Sequence, residues 1–410
     1  MINKLLPVVS FSDIIIKLAK GSWIISNENK EYLDMNCGQF CSILGHSNEF
    51  LIEAITRNGN NIQHTNSSMI SIEILEAAEK LNKISGNMDA KSIFLTTGSE
   101  AVEFALRYGK NLKQKTGIVC FDKGYHGLTY GSQTITYSGK YAYPQINNIF
   151  SIKIPNTENM LQCLKKLEEL LEKESHKIAL MILEPIVSVG GMLFPPKEYF
   201  LEVEKLCKKY DIFLVFDESQ TGIGRTGEWF YFQEIGCTPD ILILSKGLGG
   251  GYPVSAVLFK NEIIPEKGFN ITHYSSHQND PFLGSIVNYI ITCIDKELLL
   301  EKIKEKGKYF LNELQILAEK YPVIDSPRGK GLILGFDLKV NNIKNYREIS
   351  KIFLKEIEKR GVILQATNGG QTIRFLPSYL IKYQEIKKCI IELEYVLKNF
   401  DNLVIKKYEE

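Results

Sequence analysis

Three short segments carry side chains whose type and spacing could do chemistry. In Leu95-Thr96-Thr97-Gly98-Ser99-Glu100-Ala101 an apolar strand runs through a glycine turn into a helix. A helix start offers free N–H donors and the positive end of its dipole, so Gly98 and Ser99 mark an anion site. Read alone, the same residues are a helix cap and a first-turn acid. In Phe213-Leu214-Val215-Phe216-Asp217-Glu218 a buried strand ends in two carboxylates, at the edge of a parallel sheet where ligands bind. An acid there caps a helix, binds a metal or pairs with a buried cation, and no nearby histidine in sequence completes a metal set. In Leu242-Ile243-Leu244-Ser245-Lys246-Gly247-Leu248-Gly249-Gly250-Gly251 a lysine stands between an apolar strand and a glycine-rich turn. A buried amine is costly unless it is paired or neutral. A neutral amine among glycines, which leave room for a flat ligand, suits Schiff-base chemistry; a lysine that merely opens a surface loop is the alternative for Lys246 alone.

Taken together, an anion site, an acid at one strand end and a lysine at another are the parts needed to hold pyridoxal phosphate. The helix start takes the phosphate, the lysine forms the Schiff base, and the acid keeps the ring nitrogen protonated so that the ring accepts electrons. Tyr125-His126-Gly127, after the next strand, offers an aromatic ring to stack on the cofactor.

These residues need elements to position them. Apolar spacing predicts helices over 14–20, 72–81, 100–112, 160–173 and 199–210, and a hairpin around the turn 27–30. Strands are predicted over 93–96, 118–121, 149–154, 180–183, 213–216, 241–244 and 256–259. Strands alternating with helices predict an α/β fold with a mostly parallel sheet covered on both faces. After about residue 284 the texture changes to α+β. A long helix from 285 to 301, extending toward 319, precedes a strand over 333–338. A helix over 346–360, a strand pair around Val362 and Ile373 and a last helix over 383–399 follow. The expected division is a large cofactor domain over 45–285 and a small domain built from 1–44 and 286–410.

Composition narrows the alternatives. Across 410 residues, 49 basic and 48 acidic side chains leave a formal charge of +1, so no global field holds nucleic acid or an anionic membrane surface. The apolar runs, such as Ile178 to Leu183, fall far short of the roughly 20 residues of a membrane span. Met1 to Val9 is short, and Asp13 and Lys17 follow it, which is not the form of a signal peptide. The eight cysteines match neither a zinc spacing nor a disulfide framework and read as buried hydrophobes in a reducing cytoplasm.

At the level of whole motifs, the chain resembles the class III (omega-type) aminotransferases, of fold type I among pyridoxal-phosphate enzymes. The resemblance spans nearly the whole length and rests on five motifs in order. They are Thr97-Gly98-Ser99-Glu100-Ala101, Tyr125-His126-Gly127, Glu184-Pro185-Ile186, the run Asp217-Glu218-Ser219-Gln220-Thr221-Gly222-Ile223-Gly224-Arg225-Thr226-Gly227, and Ser245-Lys246-Gly247-Leu248-Gly249-Gly250-Gly251-Tyr252-Pro253. The resemblance implies Lys246 as Schiff-base lysine and proton shuttle, with Asp217 at the pyridinium nitrogen. It implies Gln220 at the phenolic oxygen, Gly98 and Ser99 at the phosphate, and Tyr125, His126 and Glu184 around the ring. It further implies that Ser276 reaches the phosphate of a partner subunit, so that a homodimer shares its sites. Arg374, in Thr372-Ile373-Arg374-Phe375-Leu376-Pro377, matches the arginine that binds the substrate α-carboxylate, with Gln39 and Ser188 beside it. The implied substrates are a small-molecule amino donor and a 2-oxo acid or aldehyde acceptor.

The chain also departs from that pattern. Many members acting on ω-amines carry a glutamate five residues after the Glu184 position, which pairs with the arginine and moves it aside. Here that position is Val189, so Arg374 lacks a gate and α-amino acids are favoured. Ser275-Ser276-His277-Gln278-Asn279-Asp280-Pro281 and Gly38-Gln39-Phe40-Cys41-Ser42 resemble the 2,2-dialkylglycine decarboxylases, in which a serine matches Val189. Decarboxylation-dependent transamination is therefore an alternative reading. Racemisation is another, since Tyr125 to Ser138 resembles amino-acid racemases of this class. A non-catalytic regulator is disfavoured, because no DNA-binding extension or basic cluster is present.

Overall fold

The structure, a computed structural model, describes residues 4–6, 8, 9, 11–137, 147–340 and 345–409. Parts of Met1 to Val9, and Ser138 at the end of the racemase-like segment, lie outside the described residues.

The chain opens with strands β1 (Ile16–Lys20), β2 (Trp23–Ser26) and β3 (Glu31–Asp34), a single turn α1 (Cys37–Phe40), and helices α2 (Glu49–Asn61) and α3 (Ile72–Ile84). Next come β4 (Ala90–Leu95), α4 (Gly98–Lys113), β5 (Gly117–Phe121), β6 (Ile149–Ile152), α5 (Met160–Glu174), β7 (Ile178–Leu183) and α6 (Lys197–Lys209). They continue through β8 (Phe213–Asp217), α7 (Tyr231–Ile235), β9 (Ile241–Leu244), β10 (Ser255–Lys260), α8 (Pro281–Lys296) and α9 (Leu299–Lys320). The chain closes with β11 (Ile324–Lys330), β12 (Ile333–Leu338), α10 (Tyr346–Lys359), β13 (Val362–Ile363), β14 (Gln365–Thr367), β15 (Thr372–Phe375) and α11 (Tyr383–Glu409).

A seven-stranded sheet in the order β4-β10-β9-β8-β7-β5-β6 forms the centre, and only β10 runs against its neighbours. Alternate residues of β7 to β9 point into different cores. Leu180, Ile182, Val215 and Ile243 pack beneath α4, while Met181, Leu183, Phe216 and Leu244 pack into the core on the other face. Burial of both faces explains why these strands read as unbroken apolar runs. Helix α4 lies so close that a Cβ on Gly109 would meet Leu180 Cδ2 at 2.8 Å. The mostly parallel sheet covered on both faces is the architecture expected from sequence.

Two four-stranded sheets flank it. In β1-β2-β3-β13, a strand from the C-terminal region pairs in parallel with β3. In β11-β12-β15-β14 every pairing is antiparallel.

Two expectations are corrected. Residues 16–20 form the edge strand β1, not a helix, because their backbone pairs with β2. The long helix breaks in two at Leu298, which takes a left-handed φ of 50° between α8 and α9. Helix α8 also begins earlier, at Pro281, where Asp280 Oδ1 accepts from Phe282 N at 3.0 Å.

Candidate active site

The carboxyl ends of β4, β5, β7, β8 and β9 place Gly98, Tyr125, Glu184, Asp217 and Lys246 along one edge of the central sheet. A cavity of about 280 Å³ opens there, lined by Thr96 to Ser99, Tyr125, Asp217, Ser219, Lys246 and others. Strand ends that meet across a parallel sheet form the crevice in which α/β proteins bind ligands.

At one end of the cavity, Thr97 caps α4 by accepting from Glu100 N at 3.2 Å. The Gly98 and Ser99 amides have no acceptor among the described residues. Beneath the cavity, Asp217 Oδ2 lies 2.8 Å from His126 Nδ1, and Asp217 Oδ1 accepts from Ser219 N at 3.1 Å. Burial alone would raise the Asp217 carboxyl, but the hydrogen bond and charge of His126 leave it below its ordinary value. Its sequence neighbour turns away: Glu218 accepts from Tyr231 N at 2.7 Å and Phe232 N at 2.8 Å. Of the two strand-end acids, Glu218 therefore caps α7 and Asp217 faces the cavity. Glu184 accepts from Tyr125 N at 2.7 Å, and burial pushes its carboxyl up to about 7.

Lys246 enters the cavity from a left-handed φ of 46°. Burial lowers its amine below the ordinary value against the opposing pull of Asp217, Cys41 and Glu184. Gln220 is buried, and its Oε1 has no partner.

Arg374, on β15 of another sheet, lies outside the cavity lining, as do Ser188, Glu184 and Gln220, but its charge reaches Lys246 and helps lower that amine. Its Nη1 donates to Ser188 Oγ at 3.2 Å and its Nη2 to Gln365 Oε1 at 3.2 Å, while its guanidinium stacks 4.8 Å from the Phe40 ring centre. It is only 6% exposed, its Nε is unpartnered, and burial lowers it to about 10. The Val189 carbonyl accepts from Thr367 Oγ1 at the end of β14 and from Asn368 N just beyond it at 3.2 Å.

Gln39 is exposed on α1 and is not part of the cavity lining; its neighbour Cys41 lines the cavity and Phe40 touches Arg374. The α1 turn is wound left-handed from Cys37 to Phe40, with φ of 51°, 54°, 62° and 71°. Asp34 staples it, accepting from Gly38 N at 2.9 Å and bonding His46 Nε2 at 2.8 Å. Ser276 is exposed and lies outside its own chain's cavity lining. His277 is not in the lining either: with His64 it bonds Asp280 Oδ2, the acid that caps α8. These three are the one group of potential metal ligands among the described residues.

Sequence reading missed Phe40, Cys41, Ser219, Ser245 and Gln365. Four of them lie inside the quoted motif segments, where their types carry no signal of their own. Gln365 left no local signal, because its role comes from pairing with Arg374 across β14 and β15.

The donor set fits pyridoxal phosphate. A Cβ on Gly98 would intrude between the helix start and Ser245 Oγ at 2.7 Å, and Gln220 Oε1 and His126 Nε2 are buried polar atoms without partners.

A lysine, an acid–histidine pair and an open helix start at the ends of a parallel sheet define a fold type I transferase. The chain belongs to the class III aminotransferases, which are pyridoxal-phosphate-dependent, matching the description "Aminotransferase class-III" over residues 8–397. It is 30% identical over 396 residues to an acetylornithine aminotransferase of Vibrio vulnificus, covering 95% of this chain and 94% of the relative. A succinylornithine transaminase of Photorhabdus laumondii is 29% identical over 407 residues, covering 97% and 96%. A solved Bacillus anthracis aminotransferase superposes with a TM-score of 0.90 at 26% identity, covering 96% of each chain. No helix among the described residues is long and apolar enough to cross a membrane.

Proposed function

We propose that this aminotransferase takes α-amino acids as donors and 2-oxo acids as acceptors, with Lys246 as its catalytic amine. One observation carries the choice of substrate. Arg374 is a buried guanidinium held by a hydroxyl, an amide and an aromatic face, and no acid pairs with it among the described residues. A buried cation without a counter-ion is costly, and a substrate carboxylate supplies one in the planar, two-pronged form a guanidinium prefers. With Val189 at the gate position, no acid there competes for it, and the buried Glu184 acts on it only through its charge.

When bound, pyridoxal phosphate supplies an aldehyde that accepts the substrate amine and a ring that withdraws electrons from Cα. Lys246 Nζ, disposed to the neutral state by burial, removes and returns the proton at Cα. Asp217, oriented by His126, would supply a negative charge to the ring nitrogen. Tyr125, its backbone fixed by Glu184, would cover one face of the ring, and Gln220 would meet the phenolic oxygen. Arg374 and Ser188 would orient the carboxylate, and that placement would decide which bond at Cα stands perpendicular to the ring.

The same reading makes the enzyme a homodimer in which Ser276 completes the phosphate site of the other subunit. Support comes from the exposure of Ser276 and of the apolar Met69, Ile70, Ile72 and Tyr274. It divides the chain at 45–285 and 1–44 with 286–410, because the central-sheet strands lie between Ala90 and Lys260 while the flanking sheets draw on later or terminal segments. Eight cysteines, five of them buried and none in a disulfide, support a cytoplasmic location.

A donor screen tests the substrate class by following conversion of the bound cofactor from aldehyde to amine form. α-Amino acids should convert it far more readily than amines without a carboxylate. Carbon dioxide and acetone from 2-aminoisobutyrate would instead favour decarboxylation-dependent transfer.

A further inference from the structure

We propose that Ser245 and Ser219 are ligands of the cofactor phosphate. The proposal rests on the cofactor reading above and adds two donors from strand ends other than the one that starts α4.

The hydroxyls around the start of α4 fall into two groups. Some are already used: Thr97 Oγ1 accepts from Glu100 N, Thr96 Oγ1 donates to Glu100 Oε2 at 2.8 Å, and Ser255 Oγ donates to Thr97 O at 2.9 Å. Three others have no partner among the described residues, those of Ser99, Ser219 and Ser245, and all three residues line the cavity. Ser245 is 6% exposed overall, and what it exposes faces the cavity it lines. It points at the helix start, since a Cβ built on Gly98 would lie 2.7 Å from Ser245 Oγ and 3.7 Å from Ser219 Oγ.

A hydroxyl that faces a cavity without a protein partner is free to donate to a ligand there. Here it adjoins the free amides of Gly98 and Ser99, where the helix dipole favours an anion. The two amides and the hydroxyls of Ser245 and Ser219 beside Gly98, with Ser99 also lining the cavity, offer donors that suit the three acceptor oxygens of a phosphate monoester. Because Ser245 directly precedes Lys246, the grip on the phosphate and the catalytic amine share one short segment. Ser245 therefore also fixes where the cofactor lies relative to Lys246 Nζ. Most of the phosphate grip then comes from a single chain, with Ser276 supplementing it.

The test measures dissociation constants of the apoenzyme for pyridoxal phosphate and for pyridoxal, which lacks the phosphate, in wild type, Ser245→Ala, Ser245→Thr and Ser219→Ala. Each alanine variant should weaken pyridoxal phosphate about tenfold, the scale of one hydrogen bond to a charged group, and leave pyridoxal unchanged. Ser245→Thr keeps the hydroxyl and should restore wild-type preference. Equal weakening of both ligands in an alanine variant, or no weakening of either, overturns the proposal while leaving the cofactor reading intact. Failure of the wild type to bind pyridoxal phosphate would instead remove the cofactor reading itself. If Ser245→Ala does not fold, Ser219→Ala and Ser245→Thr decide by the same criteria.

Discussion

His126 Nδ1 and Asp217 Oδ2 lie 2.8 Å apart with both side chains buried beneath the cavity. The pair keeps Asp217 ionised against burial, which would otherwise protonate it. An ionised Asp217 is what a protonated ring nitrogen needs beside it. His126→Ala should therefore lower kcat by about tenfold to a hundredfold, the scale of a hydrogen bond to a charged group, and His126→Asn should fall between it and wild type. Steady-state kinetics with unaltered cofactor content checks this.

Arg374 should act on substrates through their carboxylate alone. Arg374→Gln should raise KM for α-amino acids by about a hundredfold, the loss of a two-pronged charged contact. Turnover of an amine without a carboxylate should not fall. Val189→Glu should place an acid within reach of Arg374 and likewise raise KM for α-amino acids. Parallel kinetics on both substrate classes separates this effect from a general loss of activity.

Glu218 should shape stability against pH. Burial pushes its carboxyl up to about 7 from the ordinary 4.5. The folded state then holds a proton through that interval which the unfolded chain has released. Unfolding free energy consequently falls as pH rises from about 4.5 to about 7, and the loss is complete above about 7. The full effect is about 3 kcal/mol at most, and the buried Glu184 adds a similar slope. Glu218→Gln should flatten its share of that slope, measured by denaturant unfolding of the apoenzyme across this range.

Sites shared between subunits should complement. Lys246→Ala and Ser276→Ala chains, each impaired alone, should regain about a quarter of wild-type sites when mixed and reassembled at random as dimers. Half the dimers would be mixed, each with one intact site. No recovery on mixing would mean that Ser276 serves its own chain.

The legible part of this molecule is the part where function follows chain order. In a parallel α/β sheet each strand ends at the same edge, so Gly98, Tyr125, Asp217 and Lys246 could be placed from local pattern alone. Strand β1 was not legible. Leu18, Ala19 and Lys20 suit a helix, and as an edge strand with mostly exposed side chains it lacks the alternation that marks a half-buried one. The support of Arg374 was only partly legible. Ser188 follows a motif, but Phe40 depends on a left-handed turn and Gln365 on a pairing between strands, neither of which leaves a periodic trace. The break at Leu298 was hidden because both flanking segments are helical and only the backbone angle separates them.

The most direct test of the account is a single turnover with Lys246→Ala, loaded with pyridoxal phosphate and mixed with an α-amino acid that converts the wild type. The expected result is a folded variant that still binds the cofactor through its phosphate but does not pass from the aldehyde to the amine form. Conversion at a rate near that of the wild type would contradict the assignment of Lys246 as the residue that moves the proton.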